Sequence, residues 1–338
     1  MQPLFKIRTH GYFGFMNLAG EVVIEPQYLE AGEFYNGYAP VRLNDQWTLL
    51  DAAGRLFVRR LYRAVGRWEE GVARIRVVRS WGYLDQRGHE VIQPKFEVAH
   101  DFSEGLAAVR FRNQAGFIDH DGQFAGRPNF TATGSFQDGL APAATQAGWG
   151  FVDRAGNFVL RPAWEFAQSF QGAVAVVVRA DCWGLLNRTG ETVVEPQFQF
   201  VKGHAQGQFS DGMALAYKDG KYGFVSQAGA IAVEPMFDWA GDFGEGLAPV
   251  EINGAHGYID RGGKLAIMPH FEAAGVFSEG LAPVCTAGRW GYLNVDGQLA
   301  IPTLLEAAQS FRQGLARTTV AGKWAYMDRQ GTVTWQEP

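Results

Sequence analysis

Trp81-Gly82-Tyr83-Leu84-Asp85-Gln86-Arg87-Gly88-His89-Glu90-Val91-Ile92-Gln93-Pro94-Lys95-Phe96, followed by Phe102-Ser103-Glu104-Gly105-Leu106-Ala107-Ala108-Val109-Arg110, decides how this chain folds, because it recurs. The position of Trp81 is refilled at 13, 47, 115, 149, 183, 222, 256, 290 and 324, in steps of 34 residues with one step of 39. A small residue follows nearly every time, as in Phe13-Gly14, Trp149-Gly150, Trp183-Gly184, Tyr222-Gly223 and Trp290-Gly291. A fixed period in this range means supersecondary units that bury their apolar faces against their neighbours. Residues 1–338 are therefore expected to form a single continuous array of ten units, with an insertion near 202–206.

Within a unit, short apolar runs separated by turn residues read as strands. The Asp-x-x-Gly tetrad at Asp51, Asp119, Asp153, Asp260 and Asp328 joins two of them, since Asp accepts backbone N–H groups and Gly tolerates positive φ. Asn253-Gly254 and Asp219-Gly220 are hairpin dipeptides ahead of the aromatic pair. Three strands thus form a meander. Proline at 26, 94, 128, 162, 196, 235, 269 and 302 is expected to end the third strand, because it cannot donate to a ladder. No segment sustains a helical period. The fold class is all-β, a tandem array of three-stranded meanders. An open β-superhelix or solenoid is favoured over a closed propeller, since propeller blades usually have four strands and rings four to eight blades.

Net charge is −5, which excludes a global field for nucleic acid or an anionic membrane. Cys182 and Cys285 occupy different repeat positions and give no disulfide framework. No apolar run reaches the roughly 20 residues needed to span a bilayer, and Met1 leads into no signal segment, so a cytoplasmic location is expected. Phosphate-loop, zinc-helix, Cys-x-x-Cys and nucleophile-elbow motifs do not occur, and the seven histidines share no register. Asp119-His120-Asp121-Gly122 and Asn294-Val295-Asp296-Gly297 look like fragments of calcium loops, but they fall on the hairpin tetrad and read as turns. No enzyme activity, catalytic residue, metal or cofactor is expected.

Trp-Gly-Tyr/Phe-Leu/Ile/Val-Asp, Val-Ile-x-Pro-x-Phe and Phe-Ser-Glu-Gly-Leu-Ala-Pro-Val resemble the WG repeat of bacterial repeat proteins over essentially the whole chain. The resemblance implies a β-rich array used for binding or scaffolding and carries over no catalytic residues. The second unit departs from the pattern, with Thr48 in place of glycine and Arg60 in place of proline, and the ninth shifts its proline to Pro302.

Trp47, Trp81, Trp149, Trp183, Trp290 and Trp324 are expected to be structural, as residues at one strand position of every unit. Acidic residues before glycine at Glu70, Glu104, Asp138, Asp211, Glu245 and Glu279 read as turn residues that bond the backbone and face solvent. The candidate binding feature is basic. Arg8, Arg42, Arg76 and Arg110 recur every 34 residues on the first strand, and the same column then reads Ala144, Val178, Tyr217, Glu251, Cys285 and Thr319. Arg55, Arg59, Arg60, Arg63, Arg67, Arg74 and Arg79 thicken the second unit. Guanidinium groups recognise carboxylates and phosphates bidentately, so this stretch is the expected contact with an anionic partner surface. The expected function is a non-catalytic, monomeric scaffold for a protein partner, not for nucleic acid or membrane. The alternative is a lectin-like array whose exposed Trp and Tyr stack on carbohydrate.

Overall fold

The computed structural model describes residues 2–56, 61–127, 129–201 and 207–338. No described residue lies in a helix. The chain forms ten antiparallel sheets, one per repeat, with no strand shared between sheets. We number the sheets as blades 1 to 10 from the N-terminus. Blade 3 shows the full pattern: an inner strand Ala64–Glu69, a second strand Val72–Val77, a third strand Ser80–Asp85 and an outer strand Glu90–Phe96.

The turns follow from their residues. In each tetrad the leading side chain caps the loop, as when Asp85 accepts from the N–H groups of Arg87 and His89, both at 2.9 Å. Asp119 and Asn294 bond their loops in the same way, so both calcium-like sequences are ordinary turns. Asn253 and Gly254 both have positive φ, 52° and 78°, which matches the right-handed twist of the flanking strands.

The glycine of the aromatic-glycine pair has a packing cause. The outer strand Val22–Tyr28 contains Pro26 and bulges around it: Phe15 faces Ile24 but Phe13 faces Tyr28. That bulge lies against the third strand, so a Cβ on Gly14 would meet Ile24 O at 2.4 Å and Pro26 N at 2.6 Å. The same collision stands at Gly82, Gly150, Gly184, Gly223, Gly257 and Gly291. Proline therefore does not end the strand as the sequence suggested; it sits inside it, at a bulge that removes the need for its missing N–H. Blade 10 tests this rule, having no proline in its outer strand and Ala325 in place of the glycine after Trp324. There Tyr326 faces Trp335 and Ala325 faces Gln336 without the bulge, and Ala325 is buried without conflict.

The expected open superhelix is overturned. Phe5, Ile7 and Met16 of blade 1 are buried in one cluster with Leu315 and Tyr326 of blade 10. The Tyr326 hydroxyl donates to Lys6 O at 2.8 Å, and Arg8 reaches Glu337 through two bonds of 3.3 Å. First and last blades are neighbours, and the array is a closed ten-bladed β-propeller. The three-stranded count also needs correction. The segment taken as a link contributes a short inner strand, such as Val98–Ala99, Ala132–Thr133 or Ala273–Ala274, which pairs with the following blade. Among the described residues blades 1, 2, 4 and 7 have three strands, blade 1 because it lacks this inner piece and blades 2 and 4 because their outer segments make isolated bridges only.

Joints between consecutive blades repeat one construction, from which the seam of blades 10 and 1 departs. An aromatic after the inner strand packs on the third strand of the preceding blade, with ring centroids 4.6 Å apart for Phe117 and Phe136 and 4.9 Å for Tyr83 and Phe102. Burying such a ring is worth roughly 1.5–3 kcal/mol, so a unit that cannot fold alone is held by its neighbours. The tyrosine hydroxyls add a bond, from Tyr83 to His100 O, Tyr258 to Gly275 O and Tyr292 to Gln309 O, at 2.7–2.9 Å. Carboxylates complete the joint. Glu70 accepts from Gly105 N, Glu104 from Gly139 N, Glu245 from Gly280 N and Glu279 from Gly314 N, at 2.8–2.9 Å. These acidic residues bond backbone as expected, but the backbone belongs to the next blade, so they staple the ring rather than merely cap turns.

Candidate arginine-bearing interface

Strand alternation sends Ile75 to one face of blade 3 and both Arg74 and Arg76 to the other. The ladder position pairs directly with the motif position across the hairpin: Arg8 with Phe13, Arg42 with Trp47, Arg76 with Trp81 and, where the aromatic is replaced, Arg110 with Ala115. Arginine can occupy this column because its planar group lies over a ring, as Arg76 does 5.6 Å from the Trp81 centroid and Arg8 does 4.5 Å from Trp324.

The four ladder members are not equivalent. Arg8 is committed to Glu337, Arg42 to Glu30 and to Asp45 at 3.1 Å, and Arg110 to Asn113 and to Glu97 at 3.6 Å. Arg76 has no carboxylate partner among the described residues. Arg74 turns to the next blade, bonding Ala99 O at 2.9 Å and meeting Asp101 at 2.9 Å. Burial pushes the Asp101 carboxyl above the usual range, and the nearby charges of Arg74, His100 and Arg67 only partly restore it. Arg60 and Arg59 lie outside the described residues, as does the insertion at 202–206.

The structure gathers a second set that the sequence did not single out. A cavity of about 660 Å3 is lined by Arg312 from blade 10, Glu33 and Tyr35 from blade 2, Arg67 and Trp68 from blade 3 and Asp101 from blade 4. Blades so far apart around a ring share a cavity only on its axial side, so the inner segments border the central channel. Arg67 lies 5.6 Å from the Tyr35 ring centroid, and Lys6 pairs with Glu33 at 3.1 Å. Neither Arg67 nor Arg312 has a carboxylate within ion-pair distance among the described residues, and both are exposed. A register signal for this set existed: Glu33, Arg67 and Asp101 stand 34 residues apart, immediately before the aromatic of the Phe-x-Glu-Gly motif, where later units have Ser135, Ser169 and Ser310.

The tryptophans are largely occupied. Trp183 is fully buried, whereas Trp47, Trp81, Trp149, Trp290 and Trp324 are half-buried. Arg74 and Arg76 lie on Trp81, Arg8 and Arg317 on Trp324, and Phe166 meets Trp149 at 5.1 Å. Among the described residues no group of three His, Cys, Asp or Glu side chains is placed to hold a metal ion.

Segments 13–47, 81–114, 116–144, 149–179, 183–222, 222–254, 257–290 and 290–324 each match the WG containing repeat, and the chain belongs to that family. Residues 48–80, which contain the departures of the second unit, are not matched. No curated protein matches the chain. In fold it resembles a solved structure described as the eukaryotic initiation factor, 11% identical, over 100% of this chain and 96% of that one with a TM-score of 0.53. Weaker likenesses are to Hsv2p of Kluyveromyces lactis, 10% identical over 73% of this chain and 88% of that one, TM-score 0.38, and to AztD of Citrobacter koseri, 12% identical over 78% and 93%, TM-score 0.37. At these identities the likeness concerns the fold alone.

Proposed function

We propose that this WG-repeat ring is a non-catalytic scaffold that binds a protein partner through the arginine-bearing sector of blades 1 to 4. One observation carries the reading: the column paired with the motif position holds arginine in blades 1 to 4 and in no later blade. Arg76 has no carboxylate partner among the described residues, whereas the matching ladder positions of blades 5 and 6 are Ala144 and Val178. Several shallow contacts along one arc give affinity by addition. The carbohydrate alternative is less well supported, because arginines and neighbouring rings already cover faces of the tryptophans that would stack on sugar. In the same reading the ring works as a cytoplasmic monomer without a cofactor.

The test is affinity capture followed by cross-linking and mass spectrometry, comparing wild type with Arg42→Glu/Arg76→Glu/Arg110→Glu at matched salt. Cross-links on blades 1 to 4 and loss of the partner from the triple variant are expected. Equal capture by both proteins, or cross-links confined to blades 6 to 9, would overturn the reading.

A further inference from the structure

The position after the joint aromatic normally serves the next blade. Ser103 donates to Phe136 O, Ser210 to Phe243 O and Ser278 to Phe311 O, each at 2.7 Å. In blade 10 this position is Arg312, and blade 1 has no inner strand for it to serve. Arg312 is thus released from the structural task of its column and faces the axial cavity instead. Arg67 stands on the same cavity from blade 3, beside the Tyr35 ring and the Trp68 wall.

We propose that this axial cavity binds an extended acidic peptide segment of the partner, with spaced carboxylates received by Arg67 and Arg312 and an apolar side chain between them against Tyr35 and Trp68. The proposal rests on the partner-binding reading and names what the partner presents. A planar guanidinium fork matches a carboxylate in two bonds. The charge balance of the wall selects among anions. Arg67, Arg74 and Arg312 face Glu33 and Asp101, so the net surplus is small and two fixed carboxylates repel a dense polyanion. Single charges set apart along a chain place one carboxylate at each of Arg67 and Arg312, while Glu33 and Asp101 are already paired with Lys6 and Arg74. The volume, about 660 Å3, is within the range of preformed ligand sites.

The experiment is fluorescence anisotropy of the whole chain with a labelled synthetic peptide alternating Glu with Ala and Phe, at fixed salt. Arg67→Ala/Arg312→Ala should weaken binding by about tenfold or more, as expected for lost charge-assisted bonds. Arg127→Ala/Arg161→Ala, which removes the same charge away from the cavity, should leave it unchanged. The cavity assignment is overturned if both double variants weaken binding alike, if the peptide with Gln for Glu binds equally, or if a short RNA binds more tightly than the peptide. Circular dichroism confirms that the variants fold. Should the captured partner still cross-link to blades 1 to 4 in the Arg67/Arg312 variant with its affinity intact, the cavity is wrong and the scaffold reading stands.

Discussion

The joint between blades 3 and 4 and the joint between blades 10 and 1 perform the same task with different parts. At the first, Tyr83 bonds His100 O, Phe102 packs on Tyr83, Glu70 holds Gly105 N, and the chain itself crosses. At the second no chain crosses and no inner strand is present, so substitutes appear. Tyr326 bonds Lys6 O, Phe5 meets Tyr326 at 5.8 Å, Leu18 packs at Gly314, and Glu337 takes the place that Glu97 has beside Arg110 by pairing with Arg8. Fixed rotation per joint brings the ends together, but among the described residues the bonds of the closure are donated by side chains, Tyr326 and Arg8. Arg8, which the sequence grouped with three binding candidates, is at this seam a fastening.

The largest expected effect lies inside a blade, between its third and outer strands. Gly223→Val places a side chain 2.4 Å from Val233 O and should cost at least about 3 kcal/mol by thermal or denaturant unfolding, whereas Ala325→Gly, where no bulge presses, should cost only about 0.5–1 kcal/mol. Equal losses would remove the bulge as the cause of the glycine. Next comes Tyr326→Phe, expected to cost about 1 kcal/mol. Tyr83→Phe should cost similarly, but hydrogen exchange should rise locally at residues 5–9 only in the seam variant, because blades 3 and 4 remain tethered by the chain.

A smaller effect separates the seam by pH. Burial opposes ionisation of Glu337, yet the Arg8 bonds, the Trp324 N–H and the Arg8 charge outweigh it and hold the carboxyl below the usual range. A depressed carboxylate contributes stability above its unfolded pKa, about 4.3, and loses it as pH falls through the lower folded value. Glu337→Gln should therefore flatten the acid limb of the stability curve below that pH. Asp101 has the opposite sign: raised by burial, it costs stability when ionised at neutral pH, and acidification through its raised pKa relieves that cost. The smallest effect is expected for Arg67→Ala/Arg312→Ala, within about 0.5 kcal/mol of wild type by thermal unfolding, since both are exposed, lack ion pairs among the described residues, and Arg67 adds only an exposed ring contact with Tyr35. A larger loss would place those arginines among the fastenings.

Much of the blade was legible. The hairpin turns at Asp85 and Asn253, the strand alternation that separates Ile75 from Arg76, and the acidic turn residues that bond backbone all follow from local chemistry. The short inner strand was missed because two paired residues such as Val98 and Ala99 leave no alternation to read. Pro26 misled because its cost at a ladder is real, but a bulge sets it aside. Of the candidate site, Arg8, Arg42, Arg76 and Arg110 could be found by register and Arg74 by the local density of arginine, while the pairing of Arg8, Arg42, Arg74 and Arg110 with Glu337, Glu30, Asp101 and Glu97 could not, since those acids are neighbours only across a joint or a sheet.

By itself the sequence determined the unit, three of its strands, its turns, the number of units and the column in which arginine concentrates, because each of these is a property of residues close in the chain. Tertiary structure decided that the array closes, which arginines are fastenings, and that Arg67 and Arg312 meet at one cavity. Closure depends on the sum of ten small rotations between packed faces, and no spacing along the chain records an angle.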